Sequence, residues 1–259
     1  MPASTPAIST RALALRVLPL LDLTSLGEDD APARIEALCA SARTPHGAPA
    51  ALCVYPEHVT TARRALHGTA MKVATVVNFP DGGADAGRAV RETRRALAAG
   101  ADEIDLVLPW RSLVHGRPAE SEAVVRACRE ACGPAVTLKL ILETGELRTP
   151  GRIRQACSIG LACGVDFLKT STGKVAVNAT TQAAALMLDA IAQDGGRCGF
   201  KAAGGIRTLA DAAVYLDLAE TRLGAGWIDP GHFRIGASAL FTELASALEG
   251  PGARSERAT

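Results

Sequence analysis

Arg94-Arg95-Ala96-Leu97-Ala98-Ala99-Gly100-Ala101-Asp102-Glu103-Ile104-Asp105-Leu106-Val107-Leu108 contains the unit that decides the fold. Residues 86–99 set Val90, Leu97 and Ala98 among Arg88, Arg91, Glu92, Arg94 and Arg95, the mixed faces of a surface helix. Gly100 stands just past the last turn, where a helix commonly stops. Residues 104–108 then run apolar around Asp105 without the alternation of a half-exposed strand. A strand covered on both faces reads this way.

The same alternation extends in both directions. Apolar runs occur at 51–55, 73–79, 104–108, 137–142, 167–170 and 199–202, with weaker ones at 221–225 and 233–237. Helical stretches at 86–99, 120–132, 152–163, 179–192, 209–218 and 239–248 separate or follow them. Eight strand signals paired with helix signals predict parallel βαβ units closing into a single-domain (β/α)8 TIM barrel. The barrel with its N-terminal helix is expected over residues 12–248, a flexible segment over 1–11 and a mobile polar tail over 249–259. A doubly wound open sheet is the alternative, and no G-x-G-x-x-G opens the first unit to support its dinucleotide-binding form.

Composition narrows the function. The 259 residues carry 28 basic and 27 acidic side chains, a net charge of +1, and 48% apolar residues. That balance excludes disorder as the main state and offers no charge excess for nucleic acid. No run of eighteen apolar residues exists, so no membrane span is expected. Residues 12–21 are apolar apart from Arg16, but Pro19 and Asp22 interrupt the run and no small-residue cleavage site follows. The stretch therefore reads as a first amphipathic helix and not as a leader. Seven cysteines, an odd and irregularly spaced set, point to buried free thiols and a reducing compartment. Cys128 and Cys132 share a helical stretch without a histidine or second cysteine pair nearby, so no metal site is expected.

The lysines carry the chemistry. Only five of the 28 basic residues are lysine: Lys72, Lys139, Lys169, Lys174 and Lys201. Arginine supplies the rest, mostly in helical stretches, whereas Lys139, Lys169 and Lys201 lie inside apolar strand signals. One such lysine could snorkel to the rim or pair with a carboxylate. Three of them, in a chain that uses arginine for solvated charge, point to an interior cluster. Desolvation and a neighbouring cation both favour a neutral amine, and a neutral amine attacks a carbonyl to form a Schiff base. Asp105 lies among apolar residues, where a carboxylate needs a partner; it fits an ion pair, proton transfer through a water, or both. Asp22 is a similar case, and Glu143 reads equally as a loop cap or a site residue.

Three glycine-bearing turns follow late strand signals: Thr170-Ser171-Thr172-Gly173-Lys174, Ala203-Gly204-Gly205-Ile206-Arg207 and Gly236-Ala237-Ser238. Glycine lets backbone N–H groups approach an anion, and barrels commonly build phosphate sites from their last loops. With Lys174, Arg207 and Ser238, these turns read as a phosphate site.

Phe167-Leu168-Lys169-Thr170-Ser171-Thr172-Gly173-Lys174 closely resembles the Schiff-base strand of deoxyribose-phosphate aldolases. The likeness continues in order through Leu21-Asp22-Leu23-Thr24, Cys53-Val54-Tyr55-Pro56, Asn78-Phe79-Pro80, Gly100 to Asp105, Leu142-Glu143-Thr144-Gly145-Glu146-Leu147, Val175 to Thr180, Gly199-Phe200-Lys201 and Arg234-Ile235-Gly236-Ala237-Ser238. It covers about residues 12–248. The resemblance implies a class I aldolase without metal or cofactor. Such an enzyme reversibly cleaves 2-deoxy-D-ribose 5-phosphate to acetaldehyde and D-glyceraldehyde 3-phosphate, in deoxyribose phosphate catabolism. By matching position, Lys169 would be the nucleophile, Lys201 its neighbouring cation and Asp105 the proton donor and acceptor. Gly173, Lys174, Gly204, Gly205, Arg207, Gly236 and Ser238 would hold the phosphate, supported by Asp22, Thr24, Cys53, Lys139 and Thr172. The partners implied are a phosphorylated sugar and small aldehydes, and the assembly implied is a cytoplasmic homodimer.

Three departures from the family pattern bear on efficiency. Lys201-Ala202-Ala203-Gly204-Gly205 has alanine where the family has proline, Ser238-Ala239 replaces a serine pair, and the chain ends without the C-terminal tyrosine of some members. Two other readings stay open: a Schiff-base aldolase for a different phosphorylated sugar, and a non-catalytic phosphosugar-binding regulator.

Overall fold

The structure, a computed structural model, describes residues 9–249. Eight strands pair in parallel and in chain order: β1 (Leu21–Ser25), β2 (Ala51–Val54), β3 (Lys72–Val77), β4 (Glu103–Val107), β5 (Thr137–Ile141), β6 (Phe167–Lys169), β7 (Gly199–Ala203) and β8 (Phe233–Ala237). β8 returns to β1 and closes the barrel. Every residue of β2, β4, β6, β7 and β8 is buried, which is why these segments lack alternation in sequence.

The helices are α1 (Thr10–Val17), α2 (Pro32–Ser41), α3 (Val59–Ala65), α4 (Ala86–Ala98), α5 (Trp110–Val114), α6 (Pro118–Cys132), α7 (Thr144–Leu147), α8 (Pro150–Ala162), α9 (Thr181–Gln193), α10 (Leu209–Leu223) and α11 (Ala239–Glu249). Local chemistry sets several starts. Asp85, Thr149 and Thr180 accept the third backbone N–H beyond them at α4, α8 and α9. Thr208 and Asp211 exchange bonds in a capping box at α10.

The main core lies between sheet and helices, where Leu52, Leu106, Leu140, Leu168, Phe200 and Ile235 pack against buried helix faces. Inside the barrel the filling is uneven. β2 and β3 supply small apolar groups, Ala51, Cys53, Ala74 and Val76. β1 and β4 to β8 supply Asp22, Glu103, Asp105, Lys139, Lys169, Lys201 and Arg234, all buried.

Two elements differ from the sequence reading. No strand forms at 221–225: α10 runs on to Leu223 and Gly224 ends it. Leu216, Ala219 and Leu223 keep the helical period, so that apolar patch belongs to a helix face. The remaining strand is β1, which begins at Leu21, the last residue of the stretch expected as the first helix. α1 ends at Val17, and a 3-10 turn over Leu18–Leu20, carrying Pro19, separates it from β1. The total of eight therefore stands with one member exchanged. α1 begins at Thr10, two residues ahead of the boundary expected at 12; residues 1–8 of the expected flexible segment, and the expected tail apart from Glu249 at the end of α11, lie outside the described residues. Among the described residues, no helix is long and apolar enough to cross a membrane. All seven cysteines are buried free thiols.

Candidate active site

Register brings the charges together. Asp105 pairs with Lys139 across β4 and β5, Lys169 with Lys201 across β6 and β7, and Lys201 with Arg234 across β7 and β8. Side chains two apart on a strand share a face, so Glu103 and Asp105 both point inward. Asp105 lies at the centre of the cluster. Its Oδ2 accepts from Lys169 Nζ at 2.7 Å and from Lys201 Nζ at 2.8 Å, and its Oδ1 accepts from Lys139 Nζ at 2.9 Å. Lys201 also donates to Asp22 Oδ2 at 2.5 Å, and Lys139 to Glu103 Oε2 at 2.5 Å. Arg234 closes the lower side, with Nη1 on Asp22 Oδ1 at 2.5 Å and Nη2 on Glu103 Oε1 at 3.1 Å.

The three lysines are not equivalent. Burial pulls the Lys169 amine below the usual lysine range, and the Lys201 charge adds to that pull, while Asp105 opposes it. Burial also works against Lys139 and Lys201, but there the carboxylates win. Asp105 and Glu103 hold Lys139 well above its ordinary value, and Asp105 and Asp22 raise Lys201. Asp105 itself resists burial through Lys139, Lys169 and Lys201 and stays well below the carboxylate range. Asp22 is lowered in the same way by Lys201, Lys139 and Arg234. The cluster thus holds one amine inclined to lose its proton among groups inclined to keep their charge. Cys53 borders the cluster, and burial with the nearby Asp105 charge pushes its thiol up, away from the nucleophilic thiolate.

Above Lys169, at the C-terminal ends of the strands, opens a cavity of about 420 Å3. Lys169, Thr24, Thr172, Gly173, Lys174, Gly204, Gly205, Arg207, Gly236 and Ser238 all line it. The amine expected as nucleophile and all seven residues expected to bind the anion therefore meet at one opening. Asp105, Lys201, Lys139, Asp22 and Cys53 lie beneath the cavity and not on its wall. A larger cleft of about 650 Å3, lined by Tyr55, Phe79, Glu57 and Arg95 among others, contains none of the buried amines.

The loops are held by specific bonds. Glu143 is the tie that leaves the loop-cap alternative standing: it sits in the left-handed region (φ 56°) and accepts from the Thr172 N–H at 3.2 Å and hydroxyl at 2.6 Å. Thr172 Oγ1 accepts from the Lys174 N–H at 3.0 Å, which shapes the turn around Gly173. Lys174 Nζ donates to Leu26 O at 2.7 Å, tying this loop to the one after β1. Gly204 has φ 87°, and a Cβ there would lie 2.6 Å from Asn178 Cβ. Gly236 serves a different need: a Cβ would come within 2.9 Å of Lys201 Cε, so its absence makes room for that lysine. Ser238 is exposed at the mouth, directly before α11. Ala202, where the family has proline, is buried within β7.

Two cluster members escaped the sequence reading. Arg234 sits in Phe233-Arg234-Ile235 and Glu103 opens β4, each a charge inside an apolar strand. The signal that marks the lysines marks both, but arginine supplies most of this chain's helix-surface charge, which masks Arg234. Among the described residues, no group of three or more His, Cys, Asp or Glu side chains is arranged to hold a metal ion.

A family model, DeoC/LacD family aldolase, matches residues 16–240. A solved structure from Coccidioides immitis and one from Toxoplasma gondii ME49 are each described as a "putative deoxyribose-phosphate aldolase". The first is 30% identical over 93% of this chain and 87% of its own, with a TM-score of 0.78. The second is 27% identical over 92% of this chain and 95% of its own, with a TM-score of 0.84. The fold is shared with deoxyribose phosphate aldolase from Aeropyrum pernix, described as a unique tetramer: 24% identity over 92% of each chain, TM-score 0.70.

Proposed function

The chain belongs to the DeoC/LacD aldolase family and is a lyase, and on that premise we propose that it reversibly cleaves 2-deoxy-D-ribose 5-phosphate through a Schiff base on Lys169. One observation carries the proposal. The amine that opens onto the glycine-lined cavity is the one lysine of the cluster that burial, aided by the Lys201 charge, pulls below the usual lysine range. A neutral Lys169 amine attacks the C1 aldehyde, and loss of water leaves an iminium. The C3 hydroxyl then gives up its proton as the C2–C3 bond breaks. C3 leaves as the aldehyde of glyceraldehyde 3-phosphate, and the bonding pair enters C2 to form an enamine. Protonation at C2 and hydrolysis release acetaldehyde and return the amine.

Asp105 and Lys201 fit the proton transfers, since both lie within hydrogen-bond reach of the amine or of one shared oxygen. Gly173, Gly204, Gly205, Gly236, Lys174, Arg207 and Ser238 suit the phosphate, whose remote binding would fix the sugar's pose over Lys169. Asp22, Thr24, Lys139, Cys53 and Thr172 would support the site from below and beside it. The reading also keeps a homodimer in the cytoplasm, and mass measurement in solution tests the assembly.

The decisive experiment is borohydride reduction with deoxyribose 5-phosphate, followed by mass spectrometry. Activity loss with one adduct at Lys169 is expected. Absence of an adduct, or an adduct at another lysine, overturns the proposal.

A further inference from the structure

We infer that Arg234 is a positioning residue for the reaction at Lys169: with Glu103 it completes a buried set of charges that balances only when Lys169 carries none. This rests on Lys169 being the Schiff-base amine. Three carboxylates lie in the cluster, Asp22 from β1 with Glu103 and Asp105 from β4. Three cations besides Lys169 face them, Lys139 from β5, Lys201 from β7 and Arg234 from β8. The Cys53 thiol from β2 is uncharged, and β3 contributes Ala74 and Val76.

Within this set each cation has a carboxylate without using Lys169. Arg234 bridges Asp22 and Glu103, Lys139 bridges Glu103 and Asp105, and Lys201 bridges Asp22 and Asp105. Three cations and three carboxylates alternate around a closed ring, and Lys169 touches it at one oxygen of Asp105. Glu143, which follows β5, is a further buried carboxylate near Lys169, but its two oxygens accept from the Thr172 N–H and hydroxyl and pair with no cation of the ring. A fourth cation adds a buried charge that no carboxylate of the ring is left to match, and an unmatched buried charge is expensive. Arg234 is the ring member that cannot surrender its proton, so it fixes the count. Its guanidinium also lies 5.6 Å from the Phe167 ring centre, on the strand that carries Lys169.

Substitutions in the ring should therefore move the Lys169 amine in opposite directions. Arg234→Met leaves three carboxylates for two cations, which favours the Lys169 ammonium. Glu103→Gln leaves two carboxylates for three cations, which favours the free amine. The double variant restores the balance. The test is the rate at which acetaldehyde and cyanoborohydride alkylate Lys169, read by peptide mass between pH 5 and 10, each variant against the unaltered chain at the same pH.

The half-maximal pH should rise by about one unit for Arg234→Met, a roughly tenfold slower reaction below it. It should fall for Glu103→Gln and return in the double variant. Shifts of both single variants in one direction, or no shift, overturn the inference while leaving the function intact. Should Arg234→Met not fold, Glu103→Gln decides alone: an unmoved or raised midpoint overturns it. If the unaltered chain gains no adduct at Lys169, the functional reading fails first and the inference falls with it.

Discussion

Lys169 and Lys201 are register partners on adjacent strands, and their ammonium positions converge on the same oxygen of Asp105, at 2.7 and 2.8 Å. One carboxylate oxygen cannot hold two full ammonium charges as well as it holds one. Lys201 has Asp22 in addition, which with Asp105 raises its amine, whereas burial and the Lys201 charge lower that of Lys169.

Lys201→Met tests this inequality. The variant removes the cation that favours the neutral Lys169 amine and also loosens Asp105. Cleavage should fall by about a hundredfold or more at neutral pH, the scale of a lost acid–base partner. Reductive trapping at Lys169 should recover as pH rises, because hydroxide then does what Lys201 did. A trapping profile identical to the unaltered chain would remove Lys201 from any role in setting that amine.

The barrel was legible where apolar strands alternate with glycine-stopped helices. The interior was legible where a charge interrupts such a strand, as at Lys139, Lys169, Lys201 and Asp105. β1 was hidden because Leu18-Pro19-Leu20 joins helix to strand through a single 3-10 turn, so the apolar residues of the helix run directly into those that open the strand. The false strand at 221–225 arose because the last turn of α10 turns Leu223 inward just before a glycine. Arg234 and Glu103 were overlooked for a different reason. Arg234 reaches Asp22 because β8 closes onto β1, and it meets Glu103 of β4 across the barrel interior, so their mutual contact follows from closure and not from sequence spacing.

Asp105→Asn separates imine formation from bond cleavage. Asp105 favours the Lys169 ammonium, so its loss should leave that amine free at lower pH. Trapping with a simple aldehyde should persist and extend toward acid. Cleavage of the sugar phosphate should fall by about 10²- to 10⁴-fold, because proton transfer loses its carboxylate. If trapping and cleavage fall together, Asp105 serves the amine and not the protons.

Gly204 and Gly205 give a paired stability test at the loop that follows β7. Both have φ near +87°, where an L side chain costs about 1–2 kcal/mol. A Cβ on Gly205 meets open space, but one on Gly204 strikes Asn178, whose Nδ2 is held by Val175 O at 2.9 Å. Overpacking adds about 1–3 kcal/mol to Gly204→Ala alone. At about 2–4 °C per kcal/mol for a chain of this size, its Tm should fall several degrees further than that of Gly205→Ala. Equal losses in calorimetry would mean that Asn178 moves aside freely.

Acid stability tests the depressed carboxylates from the other side. Asp22 is held below its ordinary range, so it contributes stability that is fully present above its unfolded value of about 3.9. As pH falls below that value toward the folded one, the contribution drains away. Asp22→Asn should cost several kcal/mol at pH 7, because it leaves Lys201 and Arg234 short of a buried partner. The gap in Tm between the two proteins should then narrow as pH falls from 4 toward 3, by the equivalent of at most about 1.4 kcal/mol per pH unit. The sign follows from the direction of the shift: only the unaltered chain has that carboxylate to protonate. A gap that stays constant or widens below pH 4 would mean that Asp22 titrates normally in the folded protein, and the ring of charges beneath Lys169 would lose one of its members.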